Sequence, residues 1–222
     1  MPLEFLQELF RLYADRSDDF IQYINRHLYL TRMAVMYITL VSLTVGTLMT
    51  YSKKLATIVL GATNFLFTIP SVALFGFLIP FTGLGVRSAI IAMSVYGALP
   101  MIRNTYVGLK EVSGDVIESA IGMGSREWQL LLFIKFPLAL PVIIAGFRTM
   151  VIMVIAFGGI ASLIGAGGLG QPIWRGINAN NHTLMVAGAL AAAMLAVTID
   201  LVLNLIERGV RKLVYGKAEG SA

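Results

Sequence analysis

From Leu55 to Val86 the chain runs for 32 residues without a charged side chain. The preceding stretch, Met33 to Ser52, is also uncharged. A helix rises 1.5 Å per residue, so about 20 apolar residues cross a hydrocarbon core of about 30 Å. Such runs call for lipid as solvent, and the composition agrees. Hydrophobic residues make up 57% of the chain and charged residues 13%, against about 25% charged in ordinary soluble domains. The expected fold class is an all-α membrane protein.

Met33–Ser52 supplies a first span. The run from Leu55 is too long for one simple span and too short for two with a loop, so it predicts a tilted span broken near Pro70. A short non-spanning piece through Pro80, Gly83 and Gly85 follows. Further spans are expected at about 87–108, with a kink at Pro100, at 138–163, which contains Arg148, and at 183–206, which contains Asp200. The total is about five. Residues 1–28 mix Leu3, Leu6, Leu9, Phe10 and Tyr13 with charges at helical spacing, the pattern of a helix lying on the membrane surface. Glu4 and Glu8 stand where a leader would carry basic residues, so no cleavable signal is expected.

The net charge is +5, but the basic residues cluster at the ends of apolar runs, which argues for membrane topology and against nucleic acid. With the C-terminus cytoplasmic, Lys53, Lys54, Arg103, Lys110, Arg126, Lys135 and the basic residues after Asp200 lie inside; Arg87, Arg175 and four N-terminal arginines lie outside. The bias predicts an outside N-terminus and a cytoplasmic tail at 213–222. The chain has no cysteine, and His27 and His182 lack a second ligand at useful spacing. No metal, cofactor or role is assigned to them.

Between the third and fourth spans lies a polar segment, 110–137, far longer than a connector requires. Asp115 and Glu118 have the spacing of a capping box. Gly124 suits a left-handed helix end, and Ser125 the start of a second helix. Ser119, Ala120 and Gly122 are small enough to let a partner surface approach closely. The segment resembles the EAA loop of permeases from binding-protein-dependent ABC importers, whose pattern is E-A-A, three residues, G, nine residues, I, one residue, L-P. Glu118-Ser119-Ala120, Gly124, Ile134 and Phe136-Pro137 fall at those spacings, with Ser119 and Phe136 departing in kind. Ile69–Leu74, Leu99–Thr105, Gly146–Thr149 and Ile164–Gly170 resemble the quaternary-amine branch, which imports glycine betaine, carnitine, choline and similar osmoprotectants.

The resemblance implies a type I importer permease of a bacterial inner membrane. Residues 115–124 would be the coupling helix that docks on a separate ABC ATPase dimer, where ATP and Mg²⁺ are bound. It also implies a separate extracytoplasmic binding protein and a second permease, either another copy or a similar chain. No G-x-x-x-x-G-K-[ST] occurs in this sequence, so no ATPase site of its own is expected. Gly165-Ala166-Gly167-Gly168-Leu169-Gly170 matches G-x-G-x-x-G, but it follows an apolar helix where a nucleotide fingerprint follows a strand. These glycines read instead as the end of span four before a short outer helix near Gln171-Pro172, serving as an outer gate, a docking site or a plain connector.

Candidate path residues are Asn64, Pro70, Tyr96 and Arg148, with Tyr96 and Trp174 offering π-faces to a trimethylammonium group. Arg148 sits where a charge is costly. It either braces the bundle, with Asp200 as a possible partner, or meets a substrate carboxylate. A methionine-type permease and an ion-driven secondary transporter are the competing readings. The latter leaves segment 110–137 unexplained.

Overall fold

The uncharged run that constrains the chain most does not form one helix. In the computed structural model, which describes residues 2–216, α3 (Lys53–Thr68) ends at Ile69, and Pro70 precedes α4 (Ser71–Thr82). Pro70 has no N–H to continue the ladder and disfavours a helical residue before it, so the axis turns by 101°. The expected break is present, but the bend is far sharper than a tilt. The Ile69 carbonyl, left outside either helix, accepts a hydrogen bond from the Tyr96 hydroxyl at 2.5 Å. Pro80 lies within α4, and residues 83–85 form a turn to α5 (Val86–Lys110).

The remaining elements are also helical, and no strand occurs among the described residues. α1 (Pro2–Asp15) leads into α2 (Ser17–Thr50), which runs unbroken from the N-terminal segment through the first apolar run. After α6 (Gly114–Gly122), the chain forms α7 (Glu127–Gln129), a π-turn over Leu130–Lys135, α8 (Phe136–Ile160) and a 3₁₀ turn over Ala161–Ile164. Pro137 explains the π-turn. It has no N–H to donate, and the Phe136 N–H reaches back five residues to Leu131. α9 (Gly170–Asn178) and α10 (His182–Tyr215) complete the chain. Lys217 and the rest of the expected tail, 217–222, lie outside the described residues.

α5 is the centre of the bundle, with α2 on one side and α8 on the other. Leu30, Ala34 and Ile38 of α2 meet Ala89, Ala92, Met93 and Tyr96 of α5, and Met150, Val151 and Val154 of α8 complete the core. Glycines set the approach. A methyl group on Gly97 would sit 2.7 Å from Ile38 and 2.8 Å from Val154, and one on Gly146 would overlap Asn104. Helices in lipid associate through such close backbone packing, since burial there yields little hydrophobic gain.

By length and composition α2, the 127–164 helix and α10 are able to cross a membrane, and the α3–α4 pair, bent by 101°, has the form of a broken span or a re-entrant loop. α5, expected as a span, is not apolar enough by itself; Ser94, Asn104 and Thr105 lie along it. Its flanking helices bury eleven of its residues and stand in for lipid. It still links the two ends of the bundle. Its first residues adjoin Ile164, whose carbonyl accepts from the Gly85 N–H at 2.8 Å, and its last precede α6.

α1 does more than rest on a membrane surface. Leu9 and Phe20 are buried with Leu169, Ala187 and Ala191, and Tyr13 donates to the Ala187 carbonyl at 2.6 Å. Replacing Tyr96 with Phe leaves the Ile69 carbonyl unpaired in a part-buried site, a cost of about 1 kcal/mol. The expected outcome is a lower unfolding temperature of the purified protein in detergent; an unchanged temperature would show that the break does not need this bond.

Candidate functional site

α6 stands at the end of the bundle away from α9. It begins at Gly114, two residues earlier than a cap at Asp115 would place it. Glu118 therefore lies too far into the helix to close a capping box, and Ser113, the residue before it, makes no side-chain cap either. Asp115 remains in the first turn, where its charge suits the helix dipole, and its carbonyl accepts from the Ser119 hydroxyl at 2.7 Å. The helix ends as expected at Gly124, with φ +88. The Gly124 N–H bonds to Ile121 at 2.9 Å and the Ser125 N–H to Ala120 at 3.1 Å, the paired bonds of a Schellman end. Ser125 thus belongs to this turn. The next helix is capped at Arg126, whose N–H donates to the Gln129 side chain at 2.8 Å.

Asp115, Glu118, Ser119 and Gly122 are exposed, and no atom lies within 4 Å of a methyl group built on Gly122 or Gly124. Ala120 is different: it is 2% exposed and turned inward, so it seats the helix on its own chain and offers nothing to a partner. The exposed apolar residues are Val116, Ile121, Met123 and Trp128, none of them picked out from the pattern. Ile134 is half-buried in the π-turn and Pro137 exposed just after it.

Within the bundle Arg148 and Asp200 do meet. Arg148 Nε and Nη2 donate to the two Asp200 oxygens at 2.7 and 2.9 Å, and Nη1 donates to Glu207 at 3.1 Å. Arg211 approaches Glu207 at 3.8 Å. Asp200 and Glu207 are seven residues apart, two turns along one face of α10. Glu207 was the unread member of this network. The fork of Arg148 is committed to carboxylates of its own chain, which is the geometry of a brace between α8 and α10.

The glycine loop at 165–170 is the third constellation. Gly165, Gly167 and Gly168 take φ +78, +83 and +89, a region closed to most residues. Gly170 packs so tightly on the Gly159 carbonyl that no side chain fits. α9 starts at Gly170, close to where the sequence placed a short helix, and Trp174 lies in a groove between α8 and α10. His27, assigned nothing above, is fully buried against this loop. Tyr96 is 2% exposed, its ring stacked on Phe157 at 4.2 Å and edged by Phe67, so it presents no free π-face to a path. Asn64 is exposed on the open side of α3, beside a groove of about 720 Å³ between α2, α3 and α5 lined by Tyr37, Thr63 and Ser94.

Residues 38–212 match the family described as the binding-protein-dependent transport system inner membrane component. This chain belongs to that family. The permease is 40% identical to the carnitine transport permease protein OpuCB of Listeria monocytogenes, over 82% of this chain and 84% of that one. It is 40% identical to the osmoprotectant import permease protein OsmW of Salmonella typhimurium, over 82% and 87%. It is also 46% identical to the Helicobacter pylori ergothioneine transport permease/ergothioneine binding protein EgtU, over 70% of this chain but only 28% of that longer protein. A solved structure of the MetNI methionine ABC transporter superposes with a TM-score of 0.78 at 24% identity, over 86% of this chain and 95% of that one, and it shares the fold. The resemblance to importers of the quaternary-amine branch thus stands, and a secondary transporter is not favoured.

In the permease, breaking the brace with Arg148→Gln should reduce the amount of folded protein in the membrane several-fold, and Asp200→Asn should do the same. Exchanging the two charges, Arg148→Asp with Asp200→Arg, should recover part of the loss. A substrate contact would instead leave assembly intact and remove transport, which quantitative blotting beside uptake assays separates.

Proposed function

We propose that this permease is the transmembrane subunit of an ATP-driven importer for a small quaternary-amine zwitterion such as glycine betaine or carnitine, or for choline. The observation that carries the coupling role is α6: a nine-residue helix, exposed on all but its Ala120 side and stopped by Gly124. It offers Glu118 beside exposed Val116 and Ile121, a small apolar and acidic knob that fits a groove on another protein. An ABC ATPase dimer is the proposed partner. It holds ATP and Mg²⁺, and this chain contributes no ATPase site.

In this reading α6 faces the cytoplasm, the N-terminus and α9 face outward, and a separate binding protein delivers substrate to the α9 end. The path forms against a second copy or a similar permease, on the open side of α3 that presents Asn64. Tyr37, half-exposed in the adjoining groove, takes over the aromatic role first given to Tyr96. Closure of the ATPase dimer moves α6, and alternating access follows as the bundle rocks. Ergothioneine is the specific rival substrate, because of the 46% identity to EgtU. It also carries a trimethylammonium group and a carboxylate, so it falls in the same chemical class.

Glu118→Lys or Gly124→Asp should leave the protein inserted while weakening retention of the ATPase about thirtyfold, the effect of losing one interface contact of about 2 kcal/mol. Full ATPase association and uptake in both variants would sink the coupling assignment. Screening the co-purified binding protein against glycine betaine, carnitine, choline, ergothioneine and methionine by calorimetry settles the substrate; binding of methionine alone would overturn the quaternary-amine reading.

A further inference from the structure

His27 is fully buried and forms hydrogen bonds to the backbone of two different elements. Its Nδ1 lies 3.3 Å from the Leu169 N–H and its Nε2 3.1 Å from the Ile155 carbonyl. The amide can only donate and the carbonyl only accept, so the ring is neutral with its proton on Nε2. Two glycines shape the slot. A methyl group on Gly158 would lie 3.0 Å from the ring, and one on Gly168 would lie 3.1 Å from Nδ1. One residue earlier, Arg26 Nε donates to the Ala166 carbonyl at 2.9 Å. One turn earlier still, the Tyr23 hydroxyl accepts from Arg175 of α9 at 2.9 Å.

Tyr23, Arg26 and His27 stand at i, i+3 and i+4, a single face of α2. The loop that they hold has no side chain at Gly165, Gly167, Gly168 or Gly170, so its packing rests on Ile164, Ala166 and Leu169. The bonds from Arg26 and His27, and the Gly85 N–H bond to Ile164, add polar ties from α2 and α5 to that packing. We propose that His27 and Arg26 are positioning residues that latch segment 161–170 shut, and that sliding this face of α2 off the loop opens the outer side during transport. The inference rests on the importer reading and on α9 facing outward.

The absence of cysteine makes the test direct. Ala166, fully buried, is replaced by Cys in the complete importer, and labelling by a membrane-impermeant maleimide is timed in intact cells. His27→Ala and Arg26→Met should each raise the labelling rate about tenfold, as expected when one or two hydrogen bonds hold a local closure. His27→Asn, which keeps an acceptor near the Nδ1 position, should restore part of the closure. Maximal uptake should fall while binding-protein affinity for substrate stays unchanged. Ala179→Cys, exposed just after α9, reports the side: if it labels from outside while Ala166→Cys is unaffected by either variant, the latch alone is overturned. If Ala179→Cys is not labelled from outside, the outward orientation fails and the gating role with it. Loss of membrane insertion in Arg26→Met, whose side chain lies at the surface, would make the contact a folding strut and also overturn the latch.

Discussion

Any break in a helix at membrane depth leaves backbone groups that lipid cannot satisfy, and each must find a partner inside the protein. This constraint explains most of the irregular features of the chain. The break at Pro70 leaves the Ile69 carbonyl outside either helix, and Tyr96 supplies a hydroxyl from the central helix. Where α8 ends, Gly85 serves Ile164, Arg26 serves Ala166 and His27 serves Leu169. Among the described residues, the buried hydroxyls of Thr31 and Ser42 are the ones left without a protein partner. Tyr96, Ser88 and His27 in the core of this permease are thus repairs to the backbone.

The same repairs tie the two ends of the molecule together. From Glu127 to Ile164 the chain is helical for 38 residues, about 57 Å at 1.5 Å per residue. One end of this rod carries the turn after α6 and the other carries the glycine loop. Its middle is pinned to α10 by Arg148 and to α5 through the contact of Gly146 with Asn104. A rigid element joined to a helix-turn at one end and to a side-chain-poor loop at the other is suited to carry displacement between them.

Much of this was legible because it depends on local rules. Pro70 had to interrupt a helix, Gly124 had to end one, and Gly165–Gly170 had to leave the regular helix, whatever lay around them. Uncharged runs likewise had to find an apolar solvent. The motif around Glu118 pointed to its family by spacing alone. Errors arose where a neighbour made the decision. Ala120 looked available to a partner, but it is buried against its own chain. Tyr96 looked like an aromatic lining a path, yet its ring and hydroxyl are consumed by Phe157 and Ile69. Glu207 and His27 gave no local signal, since their partners lie 59 and about 130–140 residues away in sequence.

The amino-acid sequence by itself determined that the chain is a helical membrane protein, where its helices break, and that a short helix stopped by Gly124 lies between two apolar runs. Those properties follow from hydropathy, proline and glycine geometry, and short-range spacing, all of which act within a few residues. Tertiary structure alone decided that Arg148 meets Asp200 and Glu207, that α5 is shielded by α2 and α8, and that a lone histidine bonds to the glycine loop. Hydrogen bonds and close packing between helices depend on which faces meet, and in a bundle of uniformly apolar helices the local pattern does not specify those faces.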